Sequence, residues 1–201
     1  MFTDSTSYFS VMHDFTAYLT LWPDDAPLPS ESELKFMLPT GLLLISDVKA
    51  LEADCLMQLR HFDDEAKSIV DYLKLQSRKI DLVLQHVIEQ DQQEGEQYRG
   101  LSFGGSGIRI IGNSELKVGS QYKITLHIKE ELIALLCFVK VSSNQVVDAS
   151  DDAGNAAENA QYITDLAFTQ ILESDVEQLV KASLSVQQKH LKYRKLAQKA
   201  P

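Results

Sequence analysis

The chain has 201 residues, enough for one ordinary domain or a small domain with an appendage. Hydrophobic residues make up 44% and charged residues 24%, which excludes wholesale disorder and low-complexity or collagen-like chains. The formal charge of −10 argues against general nucleic-acid binding, which needs a phosphate-neutralising surface.

The opening residues Met-Phe-Thr-Asp carry no early Lys or Arg and no long apolar stretch, so no secretory leader is expected, and residues 1–13 read as a polar tail. Phe15, Ala17, Leu19 and Leu21 then alternate with Thr16, Tyr18, Thr20 and Trp22, the period-two pattern of a strand with one buried face. Pro23, Pro27 and Pro29 end it. Leu34, Phe36 and Leu38 resume the alternation before Pro39 and Gly41, so residues 14–45 are expected to form two strands packing on the main domain.

No glycine or proline occurs from Leu42 to Glu94, and that invites a helix over 46–94, with Ser46 or Asp47 as its cap and Gly95 as its stop. Within it Leu59, Phe62, Ala66, Ile69, Leu73, Gln76, Ile80, Val83 and Val87 follow one another at spacings of three and four in strict alternation. This is a heptad register, with Leu59, Ala66, Leu73, Ile80 and Val87 at a and Phe62, Ile69, Gln76 and Val83 at d. Asp63 or Asp64 could start a second helix, so a break near His61–Asp64 is open. A single helix over 46–91 would be about 69 Å long, against a diameter of roughly 43 Å for a compact globule of this size. Its overhanging apolar stripe is an adhesive surface, and self-association is the expected remedy. Leu at a with Ile at d favours four strands, so a tetramer is preferred to a dimer, with Gln76 fixing the register. The bland alternative is that the stripe packs on the chain's own sheet and C-terminal helix.

Six of the nine glycines fall between Gly100 and Gly119, which suits tight turns between short strands. Tyr122–Ile128 alternates cleanly, and Leu132–Val141 is almost continuously apolar, as in a strand covered on both faces. Ser142–Gln161 reads as a solvated loop. Tyr162–Phe168 offers a last strand, and Ser174-Asp-Val-Glu177 has the spacing of a capping box for a helix reaching about Arg194. No apolar run approaches the roughly 20 residues of a membrane-spanning helix.

Chemistry is sparse. Cys55 and Cys137 form neither a disulfide framework nor a metal or redox motif, which fits a reducing cytoplasm; Cys55 lies in the helical seam and Cys137 in a core strand. The five histidines show no metal-ligand spacing, and His127 reads as a strand residue facing water. Gly104-Gly105-Ser106-Gly107 lacks the Lys-Ser/Thr of a phosphate loop. No catalytic constellation is evident, so no enzyme and no cofactor or metal is expected. Lys189, Lys192, Arg194, Lys195 and Lys199 crowd the last thirteen residues without an acid. They either complement the negative end of the closing helix or form a basic docking tail for an acidic partner or anionic lipid.

The stretch Tyr98-Arg99-Gly100-Leu101-Ser102-Phe103-Gly104-Gly105-Ser106-Gly107-Ile108-Arg109-Ile110, then Val118-Gly119, then Asp165–Phe168 and a helix from Glu173 through Val186-Gln187-Gln188, resembles the PilZ family. With the heptad helix in front, the likeness is to its atypical tetramer-forming branch. The resemblance implies an α+β fold: a small antiparallel PilZ-like β-barrel over 95–172, a long oligomerisation helix over 46–94, and a C-terminal helix with a basic tail over 173–201. It implies a bacterial cytoplasmic protein tied to cyclic-di-GMP signalling, with motility, biofilm or virulence as output. Nucleotide-binding members use an Arg-x-x-x-Arg element on the phosphates and an Asp/Asn-x-Ser-x-x-Gly element on guanine and sugar. Here Ser102 and Gly105 match the second, Gly100 stands where the acid or amide would be, and the first is missing: of five arginines none lie four apart. Lys74 and Arg78 have that spacing but occupy outer helix positions. The leading expectation is a non-enzymatic adaptor working through other signalling proteins; the alternative is a direct cyclic-di-GMP receptor in which Arg99 or Arg109 replaces the missing pair.

Overall fold

The computed structural model describes residues 10–59, 67–90, 93–147 and 160–197. Six strands close into an antiparallel barrel: β1 (Val11–Trp22), β2 (Glu96–Phe103), β3 (Gly107–Gly112), β4 (Gln121–Ile128), β5 (Ile133–Val147) and β6 (Gln161–Gln170), in the order β1-β2-β3-β6-β5-β4. Closure removes the unpaired edges that an open sheet of this length would expose. Strand alternation decides what fills it. Phe15, Ala17 and Leu19 from β1, Ile124, Leu126 and Ile128 from β4, and Leu135, Cys137, Val139 and Val141 from β5 form the buried centre with Ile108, Ile110 and Leu166. The closing helix α4 (Glu173–Ala197) adds Leu179, Ala182 and Val186 to the same core.

The alternation of Phe15–Trp22 and of Tyr122–Ile128 is realised as β1 and β4, which lie side by side with Ala17 opposite Leu126 and Leu19 opposite Ile124. The apolar run after Leu132 is β5, with Leu136 and Phe138 of its outward row buried too and the Trp22 ring edge-on to Phe138 at 4.9 Å. Two boundaries move. The strand β1 starts at Val11, so the tail is shorter than 1–13, and β5 runs through Val147, so Ser142–Val147 is strand where a loop is expected. The remainder of that loop, 148–159, lies outside the described residues.

The second expected N-terminal strand is a helix instead: α1 (Glu31–Met37). Ser30 and Glu33 form a reciprocal cap, in which the Ser30 N–H donates to Glu33 Oε2 at 2.7 Å and the Glu33 N–H donates to Ser30 Oγ at 3.4 Å. That local chemistry overrides the period-two reading of Leu34, Phe36 and Leu38, and only Leu34 of the three is buried. Capping also shifts the next helix. Pro39 offers its carbonyl to the Leu42 and Leu43 N–H groups, so α2 (Thr40–Leu59) begins six residues before Ser46 and contains Gly41. A further helix, α3 (Lys67–Gln90), follows. The expected break at His61–Asp64 lies outside the described residues, as do Phe62 and Ala66. At the other end α4 starts at Glu173, ahead of Ser174, and its first turn is closed by Asp175 and Val176 N–H groups donating to the Leu172 carbonyl, so Ser174–Glu177 lies inside the helix. The chain divides into two compact units, Met37–Gln93 and the barrel unit formed by the rest.

Candidate functional site

Two places gather the residues singled out in the sequence. On α3 the apolar row stands on one face and meets solvent: Ile69 is 62% exposed, Leu73 44%, Ile80 51%, Val83 64% and Val87 43%, with Gln76 half-buried among them. These values decide that the row is not spent on the chain's own core. Lys74 and Arg78 are exposed on the outer positions, and Lys74 leans toward Asp71 at 3.9 Å. Cys55 on α2 is exposed. The apolar surface is wider than the heptad row. Tyr72, Leu75 and Leu82 are also exposed, at g, c and c of the same heptads, and so form a second stripe beside the first. Leu75 and Leu82, seven apart, are the sequence signal for it; it is overlooked when only the a and d positions are counted.

The second place is the β2–β3 region of the barrel. Ser102 lies directly opposite Arg109, Arg109 opposite Asp165, and Asp165 opposite Ser143, giving a polar row across β2, β3, β6 and β5. Arg109 holds Asp165 with both ends of its fork, Nε donating to Oδ1 at 2.7 Å and Nη2 to Oδ2 at 3.1 Å, while Ser143 Oγ donates to Oδ2 at 2.8 Å. Burial pushes the Asp165 carboxyl up, but hydrogen bonds from Arg109 and Ser143 and the Arg109 charge outweigh it, so the carboxyl is held below its ordinary range. Ser102 is buried in the wall.

Arg99 does not join this row. It sits opposite Thr16 and Ile111 and donates from Nε and Nη2 to Asp14 Oδ1 at 3.1 and 2.9 Å. Gly105 lies in the β2–β3 turn against α4: a Cβ there would stand 2.8 Å from Val180 Cγ2. The turn itself is closed by Gly104 N–H on the Gly107 carbonyl at 3.0 Å. Ser102 and Gly105 therefore have structural work at the barrel wall and the helix contact. The structure brings Ser102 and Arg109 together, and leaves Arg99 and Gly105 in separate settings. A phosphodiester reaching either arginine would compete with a carboxylate already in place, Asp14 or Asp165, and nothing in the local sequence announces these partners, which arrive from 85 and 56 positions away.

His127 departs from its expected solvent-facing place. It is buried, with the Tyr18 ring edge-on at 5.7 Å, because Tyr18 on β1 is its diagonal neighbour and covers it. Cys137 is buried in the core, and desolvation pushes its thiol well above the ordinary range, the reverse of a nucleophile's environment. Among the described residues no group of His, Cys, Asp and Glu is placed to hold a metal ion, and no helix is long and apolar enough to cross a membrane.

No protein-family model matches the sequence, and no curated protein matches it significantly. Solved structures do. A pathogenic protein from Xanthomonas campestris, described as a tetrameric PilZ domain self-assembled via an unusual helical bundle, matches over 95% of this chain and 93% of its own at a TM-score of 0.51 and 15% identity. MrkH from Klebsiella pneumoniae covers 50% of this chain and 42% of its own, at a TM-score of 0.43 and 12% identity. The PilZ domain of Escherichia coli YcgR, with c-di-GMP, covers 52% and 79%, at a TM-score of 0.39 and 15% identity.

Proposed function

Since the chain has a PilZ-like α+β fold, a closed six-stranded barrel with a C-terminal helix, we propose that it is an oligomeric, non-enzymatic adaptor in bacterial cyclic-di-GMP signalling that acts in the cytoplasm through protein contacts. The observation that carries the reading is the exposed apolar row Ile69, Leu73, Ile80, Val83 and Val87 on α3. Side chains of this kind gain roughly 1.5–3 kcal/mol each from full burial, which is withheld while the row faces water. A tetramer satisfies the pattern better than a dimer. The second stripe of Tyr72, Leu75 and Leu82 gives α3 two adjoining apolar faces, and a helix with two such faces meets two neighbours, as in a bundle. The self-assembly of the Xanthomonas protein through a helical bundle supports the same choice.

The adaptor reading, in preference to a direct receptor, rests on charge. Arg99 and Arg109 are both engaged by carboxylates of their own chain, and the element that would grip phosphates is missing from the sequence. Light scattering tests the assembly: Leu73→Asp with Ile80→Asp puts charges into the seam and splits a tetramer into smaller species with the barrel still folded, and an unchanged mass refutes it. Calorimetric titration with cyclic-di-GMP tests the other half. No heat at micromolar concentrations is the expected result; saturable binding lost in Arg109→Ala or Ser102→Ala would make the chain a direct receptor.

A further inference from the structure

The helix α4 outlasts the barrel that it covers. Val186, at 2% exposure, is the last residue buried in α4 among those whose burial is described, and the eleven residues Gln187–Ala197 continue as helix for about 16 Å. Every residue from Gln188 to Lys195 is exposed. An isolated helix of this length is marginal in water. Its root is fixed by Lys189, whose Nζ donates to Glu131 Oε1 at 2.6 Å in the turn between β4 and β5.

The overhang has a pattern. Val180, Leu184, Gln187, Leu191 and Arg194 follow at spacings of four and three, the register of a helix–helix seam, running along the side of α4 from the barrel contact outward. Leu184 is 45% and Leu191 56% exposed, so the outer part of the seam is uncovered. Around it stand Lys192, Arg194 and Lys195, and no acid occurs anywhere after Glu177, in a chain whose net charge is −10. The net charge of −10 on the whole chain opposes long-range approach to nucleic acid or an anionic membrane, the few cations at this end offset it only locally, and two leucines offer little area to insert into lipid. A second α4 from another copy would bring like charges together. An acidic amphipathic helix satisfies both the spacing and the charge.

We infer that the outer face of α4, along Leu184 and Leu191 with Lys192, Arg194 and Lys195 beside them, is a docking seam for an acidic amphipathic helix of a partner protein. This deepens the adaptor reading and rests on it, because it supplies the surface through which such a protein reaches its partner. The seam lies on the barrel unit, whereas the oligomerisation row lies on α3, so each can fail without the other.

The probe is a designed heptad peptide with Leu at a and d and Glu at e and g, set against the same peptide with Lys at e and g, both read by fluorescence anisotropy on the full-length protein. The acidic peptide is expected to bind at least about tenfold more tightly than the basic one. Leu191→Asp abolishes that binding. The triple variant Lys192→Glu, Arg194→Glu, Lys195→Glu weakens it by about tenfold or more, and the thermal midpoint and the mass of the assembly stay unchanged in both variants. Absence of binding, equal binding of the two peptides, or indifference to both variants overturns the inference. Capture on phosphatidylglycerol vesicles without peptide binding overturns it in favour of a membrane surface, and a fall in assembly mass in Leu191→Asp overturns it in favour of contact between copies. A monomeric wild-type protein that binds the acidic peptide would sink the oligomer reading and leave the seam standing.

Discussion

Gly100 shows how a single position departs from a pattern for a packing reason. The Phe15 ring of β1 fills the space where a Cβ at Gly100 would stand, so the acid or amide of the nucleotide-binding pattern has no room there. Gly100→Asp is expected to destabilise the barrel by about 1–3 kcal/mol through overpacking alone, read in urea unfolding, and to confer no cyclic-di-GMP binding. Asp175 poses a different problem. It is buried near the start of α4 with Oδ2 unpartnered, and burial raises its pKa from 3.8 to about 6. A raised carboxyl means that the folded state holds its proton longer than the unfolded one, so its destabilising effect is absent below about pH 4, grows as pH rises through 6, and is complete above. Asp175→Asn should therefore stabilise the protein at pH 7, by an amount on the order of 2 kcal/mol, and leave it unchanged at pH 3.5. Asp165 runs the other way. Its folded pKa lies below the ordinary 3.8, so its contribution is present above that value and is lost as pH falls through the lower folded one. Arg109→Gln should remove this acid-limb slope, as followed by acid titration of the fold.

Among the elements, α1 shows local chemistry defeating periodicity. Its seven residues are too few to form a helix unaided, and the reciprocal bonds of Ser30 and Glu33 supply the nucleus. Ser30→Ala is expected to lower the thermal midpoint by roughly 2–4 °C. Its alternating Leu34, Phe36 and Leu38 look strand-like from spacing alone, and the capping spacing Ser30-x-x-Glu33 was the signal that tells otherwise. For α3 the period of 3.5 was plain in the sequence, while the breadth of the apolar face became visible only with exposure: Tyr72, Leu75 and Leu82 share the helix with the seam. Tyr72→Lys with Leu82→Lys is expected to reduce a tetramer to a dimer that keeps the a and d row, measured by sedimentation.

For the whole molecule, closure of the barrel joins distant pieces of chain, and the candidate site is a product of that closure. β1 comes to lie between β2 and β4, more than seventy residues later in the chain, and this pairing is what sets Asp14 beside Arg99 and Tyr18 over His127. The pairing of β3 with β6 likewise sets Asp165 against Arg109. Both arginines thus read as free cations in the sequence and as engaged ones in the fold.

Alternating spacings by themselves indicated the strands β1, β4 and β6, a continuous apolar run indicated the first part of β5, and a stretch free of glycine and proline with a heptad spacing indicated helix over 46–94 and the apolar row that calls for self-association, because each depends on residues within a turn or two of one another. Which arginine meets which carboxylate, which histidine is covered, why Gly100 and Gly105 admit no side chain, and how far α4 runs past its last core contact were decided only by tertiary structure. These depend on which strands become neighbours, and a local period carries no information about a partner supplied from dozens of residues away.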